Sequence, residues 1–592
     1  MASSNPDMAQ GRDRNLRFVP LFLLALGVAL PLMLFDIVDG VNFLGDIDDD
    51  FRAVQIRLLV DGWSWFDRTI PMIEMPGVYV SPWSRLVDLP YALIAWSLTP
   101  MLGSETALQM AFWIWPPMML VMFCGLVVRT LMAMLDGLMP LEPVGVIASI
   151  LLMWLALWEF SPGRIDHHNV QLLLIMLVFL GLGLWTVRGA VLVGLGCVGS
   201  IAVGLELLPL IALVLGGVSL AWVLERPGAR PFALALGSSI LVLTPLFGLA
   251  LIGPAGLAAT QCDALSAPYA LALAGYGGIT AVLAAAPVRA GMIGRGVLVA
   301  VAGALLVGWL AWQFPLCLEG PYHMIDPLSR THWLDRVEQE KSFLLYFQNG
   351  NTAALVVLAA LTVVLALAAP TVLTTLRHGR SGVAIIYACA VVALGLALLQ
   401  TRYVRFPIVM APLFMPFLLG LVARDNRVAL RMSAAVVAVI AGIALGIYAL
   451  LPNRTSNFDV VDYLSYASCD QPDVSVLEDV APGRIMMPGW LGLKLMDRLP
   501  QGMTVAGVSF HRSAPGMRRI LQSFTSVDSG TRREALKPFD YVALCRSPVP
   551  ASVAPDTLFS GLARGGDWPG LTRLNGIDDE FMLFAIDHDV LR

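Results

Sequence analysis

The sequence predicts a polytopic α-helical membrane protein that ends in a small α/β domain. Three observations lead there. Of 592 residues, 57% are hydrophobic and only 14% charged, where a soluble domain carries about 25% charged residues. The apolar residues fall in runs long enough to cross a bilayer, which takes about 20 residues in a helix. Those runs stop at Leu451, and the chain beyond is evenly charged and punctuated by Pro482-Gly483, Pro488-Gly489 and Pro515-Gly516, which are turn signals. The net charge of −5 is distributed by loop. No basic patch with interleaved aromatics favours nucleic acid as a partner.

Residues 1–17 are short, polar and basic (Arg12, Arg14, Arg17). They read as a cytoplasmic N-terminus ahead of a retained signal anchor, because no small-residue cleavage site follows the first run. Spanning segments are expected near 18–36, 106–135, 143–160, 169–187, 189–205, 207–225, 232–253, 268–288, 293–314, 353–376, 382–400, 404–423 and 428–451, about thirteen in all. Only Glu206 to Pro209 divides the fifth from the sixth. The apolar run Tyr91 to Leu102 is short for a span and suits the interface. Arg129, Arg188, Arg226, Arg230, Arg289, Arg295, Arg377, Arg380, Arg424, Arg427 and Arg431 fall on alternate loops. The excess of Lys and Arg on cytoplasmic loops then places the N-terminus inside and the tail outside. The domain plan is 1–17 cytoplasmic, 18–451 transmembrane and 452–592 periplasmic or otherwise extracytoplasmic, in a cell (inner) membrane. In the tail, Met503 to Phe510 and Tyr541 to Leu544 read as strands and Met517 to Phe524 as a helix.

Seven cysteines divide by this topology. Cys124, Cys197 and Cys389 lie in apolar runs, where a thiol acts as a small hydrophobe. Cys262 and Cys317 fall on outer loops, and Cys469 and Cys545 in the tail. Two even pairs on the oxidising side predict the disulfides Cys262–Cys317 and Cys469–Cys545. Four free thiols are the alternative.

The chemistry gathers on the outer side. Asp46, Asp48, Asp49 and Asp50 follow the first run, and Arg164-Ile165-Asp166-His167-His168-Asn169 lies between two later runs. Ionisable groups at membrane depth are costly and usually mark a site. Carboxylates with an imidazole suit Mg²⁺ or Mn²⁺. Arginines at the same depth suit a phosphate, and Arg402 and Arg405 lie at the junction before the twelfth run. Each feature has a plainer reading too. An acidic loop is often only solvated, Asp166 suits the cap of a helix starting near Asn169, and Arg402 suits a side chain snorkelling at a helix end.

The arrangement resembles the GT-C class of membrane glycosyltransferases, and most of all the catalytic subunit of bacterial and archaeal oligosaccharyltransferases. Asp48, fourteen residues before Gly62, resembles the family's first metal-binding Asp, with Asp49 its closest rival. Asp166-His167-His168 matches the second motif. Glu340, with Glu338 next, resembles the Glu of the mobile loop, here Gly320 to Gln348. Arg402 resembles the arginine that binds the lipid-linked phosphate. The resemblance implies thirteen membrane helices, an exported domain and metal-assisted transfer of a sugar or oligosaccharide from a polyprenyl-phosphate or -diphosphate donor to a glycan, lipid or protein acceptor. It implies Asp48, Asp166, His168 and Glu340 as metal ligands, Asp48, Asp49, Asp166 and Glu340 as catalytic groups, and Arg402, Arg405 and His167 at the donor phosphate. The family's Trp-Trp-Asp-Tyr-Gly motif, which reads protein sequons, is absent; the nearest text is Val460-Val461-Asp462-Tyr463-Leu464. A transporter or flippase of lipid-linked glycans is the second reading, although no internal repeat of the kind transporters show is evident.

Overall fold

The computed structural model describes residues 6–38, 47–287, 290–343, 352–422, 469, 472–549 and 553–591. The chain divides into two compact units, and neither is continuous in sequence. One comprises Met1–Asp49, Trp83–Leu318 and Ser342–Ser456; the other comprises Asp50–Pro82, Glu319–Lys341 and Asn457–Arg592. The second unit thus takes in two segments ahead of the expected division at residue 452. The expected run 428–451, the motif text 460–464 and Asp46 lie outside the described residues.

The first unit is helical. Each apolar segment expected before residue 428 is helical, though not each is one straight rod. Among the described residues, seven helices are long and apolar enough to cross a membrane: Arg17–Leu34 within Pro6–Val38, Ser104–Leu135, Ala229–Leu251, Ala267–Ala285, Met292–Gln313, Val356–Arg377 and Ser381–Leu399. His168–Leu184, Val187–Val203 and Leu208–Val223 are apolar but shorter. Pro143–Leu152 and Trp154–Phe160 form a pair bent by 71°. The expected span 404–423 is broken into Arg405–Met410, a 3₁₀ turn Ala411–Phe414 and Met415–Val422. Pro407, Pro412 and Pro416 explain the breaks, since each lacks an amide hydrogen and crowds the preceding turn. The run near Tyr91 belongs to a longer helix, Arg85–Leu102, which begins with the buried ion pair Arg85–Asp88.

Two features show how these helices pack. Met292–Gln313 has no buried residue, and Leu305 and Trp312 are 70% and 76% exposed. Such a face is a liability in water and ordinary against lipid tails, which are as apolar as leucine. His168–Leu184 and Val187–Val203 approach backbone to backbone: a Cβ on Gly181 would lie 2.3 Å from the Gly189 carbonyl oxygen. Small residues permit this closeness in membrane helices.

The second unit is built on a seven-stranded sheet. Its strands are β1 Thr69–Glu74, β2 Val78–Val80, β3 Arg484–Met486, β4 Thr504–Val505, β5 Tyr541–Cys545, β6 Leu571–Arg573 and β7 Phe581–Ile586, in the order β2-β1-β4-β3-β5-β7-β6. The middle strands β1, β4, β3 and β5 are parallel, and β2, β7 and β6 run antiparallel to their neighbours. The strand expected over 503–510 is only two residues long. Gly507 ends it: a Cβ there would meet Ser513 Oγ at 2.6 Å and Met517 N at 3.1 Å, so the chain turns into the helix Ala514–Thr525. Ile520, Leu521 and Phe524 fall on one face of that helix and join Val542, Leu544, Met582 and Phe584 in the core.

Candidate active site

The acidic first loop and the second outer loop meet within the first unit. Asp49 lies in the first turn of the helix Ile47–Val60 and is buried. Its Oδ1 accepts from the backbone amides of Ile165 and Asp166 at 2.8 Å each, and its Oδ2 from Arg164 Nη1 at 2.5 Å. A carboxylate with three such donors is well stabilised as an anion. Arg164 also reaches Glu159 at 3.0 Å, and Glu159 in turn pairs with Arg405 at 3.2 Å.

The loop itself is tied from both sides. Gly163 has φ +90°, a conformation that favours glycine, and its amide donates to Phe112 O at 3.0 Å. Asn169 Nδ2 donates to the carbonyls of Arg164 (3.0 Å) and Glu159 (3.2 Å). These bonds fix the turn before the helix His168–Leu184. The cap of that helix is His167, not Asp166.

Asp166, His167 and His168 are all buried, and their ligand atoms lie within 4.8 Å of one another. Asp166 Oδ1 pairs with His167 Nδ1, and Asp166 Oδ2 lies 3.0 Å from His168 Nε2. His167 Nε2 lies 3.3 Å from both carboxylate oxygens of Glu206. Gln171 donates its Nε2–H to Glu206 Oε2 and turns its Oε1 to His168 Nδ1 at 3.2 Å. Burial opposes charge on His167, but Asp166 and Glu206 outweigh it and push the imidazole up to about 10. Burial likewise opposes charge on Glu206, yet His167, His168 and Arg402 hold its carboxyl well below the usual range. His167 is therefore an imidazolium between two carboxylates.

The remaining expected residues fall as follows. Asp48, beside Asp49, is half-buried. Among the described residues, the Asp/His group close enough to hold one ion does not include it. Arg402 sits in the 3₁₀ turn Thr401–Tyr403. Glu340 belongs to the second unit, in the turn Glu338–Glu340, and accepts a hydrogen bond from Tyr322 Oη at 3.1 Å. Cys262 is bonded to Cys317 and Cys469 to Cys545, while Cys124, Cys197 and Cys389 are buried thiols.

Sequence reasoning passed over Glu159, Gln171 and Glu206 as members of this cluster. Glu159 had a signal: a carboxylate inside an apolar run marks a site by default, and Trp158-Glu159-Phe160 closes such a run. Glu206 was legible only as a divider between two runs. Gln171 gave no signal, because one neutral amide in an apolar helix stands out from nothing.

No protein-family model matches the chain, and no curated protein matches its sequence. Solved structures do. The Archaeoglobus fulgidus oligosaccharyltransferase tethered with an acceptor peptide containing the NVT sequon aligns over 97% of this chain and 74% of its own, with a TM-score of 0.65 and 12% identity. The same organism's oligosaccharyltransferase AglB, in complex with an inhibitory peptide and a dolichol-phosphate, aligns over 90% of this chain and 69% of its own, with a TM-score of 0.63 and 11% identity. Its complex with Zn and sulfate aligns over 88% and 67%, with a TM-score of 0.59 and 10% identity. The chain thus resembles the oligosaccharyltransferase catalytic subunit in fold. At these identities the likeness is one of fold alone.

Proposed function

We propose that the chain is a membrane glycosyltransferase that moves a sugar or oligosaccharide from a polyprenyl-phosphate or -diphosphate donor to an acceptor at the outer face of an inner membrane. The observation that carries this reading is the buried Asp166–His168 pair with arginines around it: Arg164 and Arg405 meet at Glu159, and Arg402 acts on Glu206. The fold likeness to a dolichol-phosphate-bound enzyme supports a lipid-linked donor. The topology goes with it: residues 1–17 cytoplasmic, 18–451 in the membrane, and the C-terminal domain periplasmic.

The donor set fits a divalent cation. Asp166 offers a carboxylate oxygen and His168 an imidazole nitrogen 3.0 Å apart, and these atom types suit Mg²⁺, Mn²⁺ or Zn²⁺. Asp48 and Glu340 are the further ligands proposed from the resemblance. When bound, the cation supplies positive charge to the departing phosphate. The chain's own groups do the rest. Asp49 and Arg164 hold the second loop in place. His167 offsets the charge of Asp166 and Glu206; with both ring nitrogens turned to carboxylates, it balances charge here instead of binding the phosphate. Arg402 and Arg405 receive the phosphate, for which a planar guanidinium is well matched. Asp48 orients or deprotonates the acceptor. The segment Gly320 to Lys341, with Glu340, acts as a cover, as mobile loops do elsewhere. The acceptor class stays broad, as glycan, lipid or protein, because the sequon-reading motif is missing.

Transfer of labelled sugar from membrane lipid tests this. Asp48→Ala, Asp166→Ala and His168→Ala are each expected to lower the rate by about 10²-fold or more, the scale seen when one electrostatic contact to the transition state is lost. Full activity in all three, with and without chelator, would discard the reading.

A further inference from the structure

The geometry points to Glu206 and Gln171 as positioning residues that decide which nitrogen of His168 carries its proton. The deduction needs only donor and acceptor types. A carboxylate has lone pairs and no hydrogen, so the group Gln171 turns to Glu206 is its NH₂. The amide's other end, Oε1, then faces His168 Nδ1 at 3.2 Å. That oxygen only accepts, so Nδ1 donates. A neutral imidazole has one proton, and here it sits on Nδ1. Nε2 is left with its lone pair directed at Asp166 Oδ2, 3.0 Å away. Two acceptors at that distance repel unless a cation serves both.

His167 is the instructive contrast. It has carboxylates at both nitrogens, Asp166 at Nδ1 and Glu206 at Nε2, so both donate and no lone pair remains. Glu206 therefore treats two adjacent histidines in opposite ways: it makes His167 a cation and, through Gln171, makes His168 a ligand. Orienting contacts of this kind, from the far side of a metal-binding imidazole, fix its tautomer.

Gly204 supplies an independent observation. Its backbone is extended and unstrained, but a Cβ there would lie 2.9 Å from Gln171 Nε2 and 3.0 Å from Glu206 Oε2. The space a larger residue would need is occupied by this contact. The inference rests on the metal reading for the use made of the bare nitrogen, and not for the tautomer itself.

The test uses the full chain in detergent, labelled with [¹⁵N]histidine, with the His168 signals assigned by their loss in His168→Gln. The wild type is expected to show protonated Nδ1 and bare Nε2. Gln171→Met keeps the volume and removes the amide; it should let the proton distribute over both nitrogens and weaken Mn²⁺ binding by about 10–100-fold. Gly204→Ala, which displaces the contact without deleting a partner, should act in the same direction and serves if Gln171→Met does not fold. The exchange of Gln171→Glu with Glu206→Gln keeps an acceptor facing His168 and should restore the tautomer. A wild-type proton on Nε2, or a tautomer unchanged in Gln171→Met and Gly204→Ala, overturns the inference. Wild-type protein with the proton on Nδ1 but no affinity for Mn²⁺ would fail the metal reading and leave the positioning role standing.

Discussion

Single side chains in this protein act mostly by where they hold a proton or a charge. Asp528 is a simple case, remote from the candidate site. It caps the helix Ser529–Leu536, with Oδ2 accepting from Thr531 N at 2.7 Å. That backbone bond holds its carboxyl below the usual range. A depressed carboxyl stabilises the fold above its unfolded value, about 3.9, and loses that contribution as pH falls through the lower folded value. Asp528→Ala should thus speed hydrogen exchange of the 529–536 amides at neutral pH. Below about pH 3 the two proteins should converge; a gap that persists there would refute the role. Asp49 teaches a different lesson. In the sequence it was one of several adjacent acids, indistinguishable from Asp48. The fold separates them, because only a defined turn can bring the amides of 165 and 166 to one carboxylate.

Helices were the legible elements, since a bilayer asks for long apolar runs and the chain supplies them. Their interruptions were less legible. The 71° bend at Met153 has no proline or glycine at the break, so it follows from packing that a single sequence does not display. The hairpin of β1 and β2 was invisible for another reason: Thr69 to Glu74 contains Pro71, and proline argues against a central strand. The close helix pair gives the prediction at this scale. Gly181→Val would drive a side chain into the Gly189 carbonyl and Val193, and backbone does not yield as a flexible side chain does. Overpacking typically costs about 1–3 kcal/mol, so the variant should melt earlier in detergent, while Gly303→Val, which meets nothing within 4 Å, should not. Equal melting of the two would rule out the contact.

At the scale of the whole chain, the expected plan of membrane part followed by tail describes the composition better than the architecture. The tail's sheet is incomplete without residues placed hundreds of positions earlier: β1 pairs with β4 through Ile73 and Val505, and Arg512 Nη1 donates to Val80 O. Composition cannot reveal this, because strand partners are chosen by three-dimensional neighbourhood and not by proximity in sequence. A chain ending before Arg484 should therefore leave 69–80 without its parallel partner, and limited proteolysis should cut there faster than in the intact protein. Equal protection would mean that the hairpin stands alone.

That pairing has a consequence for biosynthesis. Val80 and Arg512 are 432 residues apart, and translation proceeds at about 5–20 residues per second. The nascent hairpin therefore waits roughly 20–90 s for its partner to leave the ribosome, with a strand edge open to any other chain nearby. Export and chaperone capacity, more than the folded protein's own stability, would then limit how much of it a cell can make.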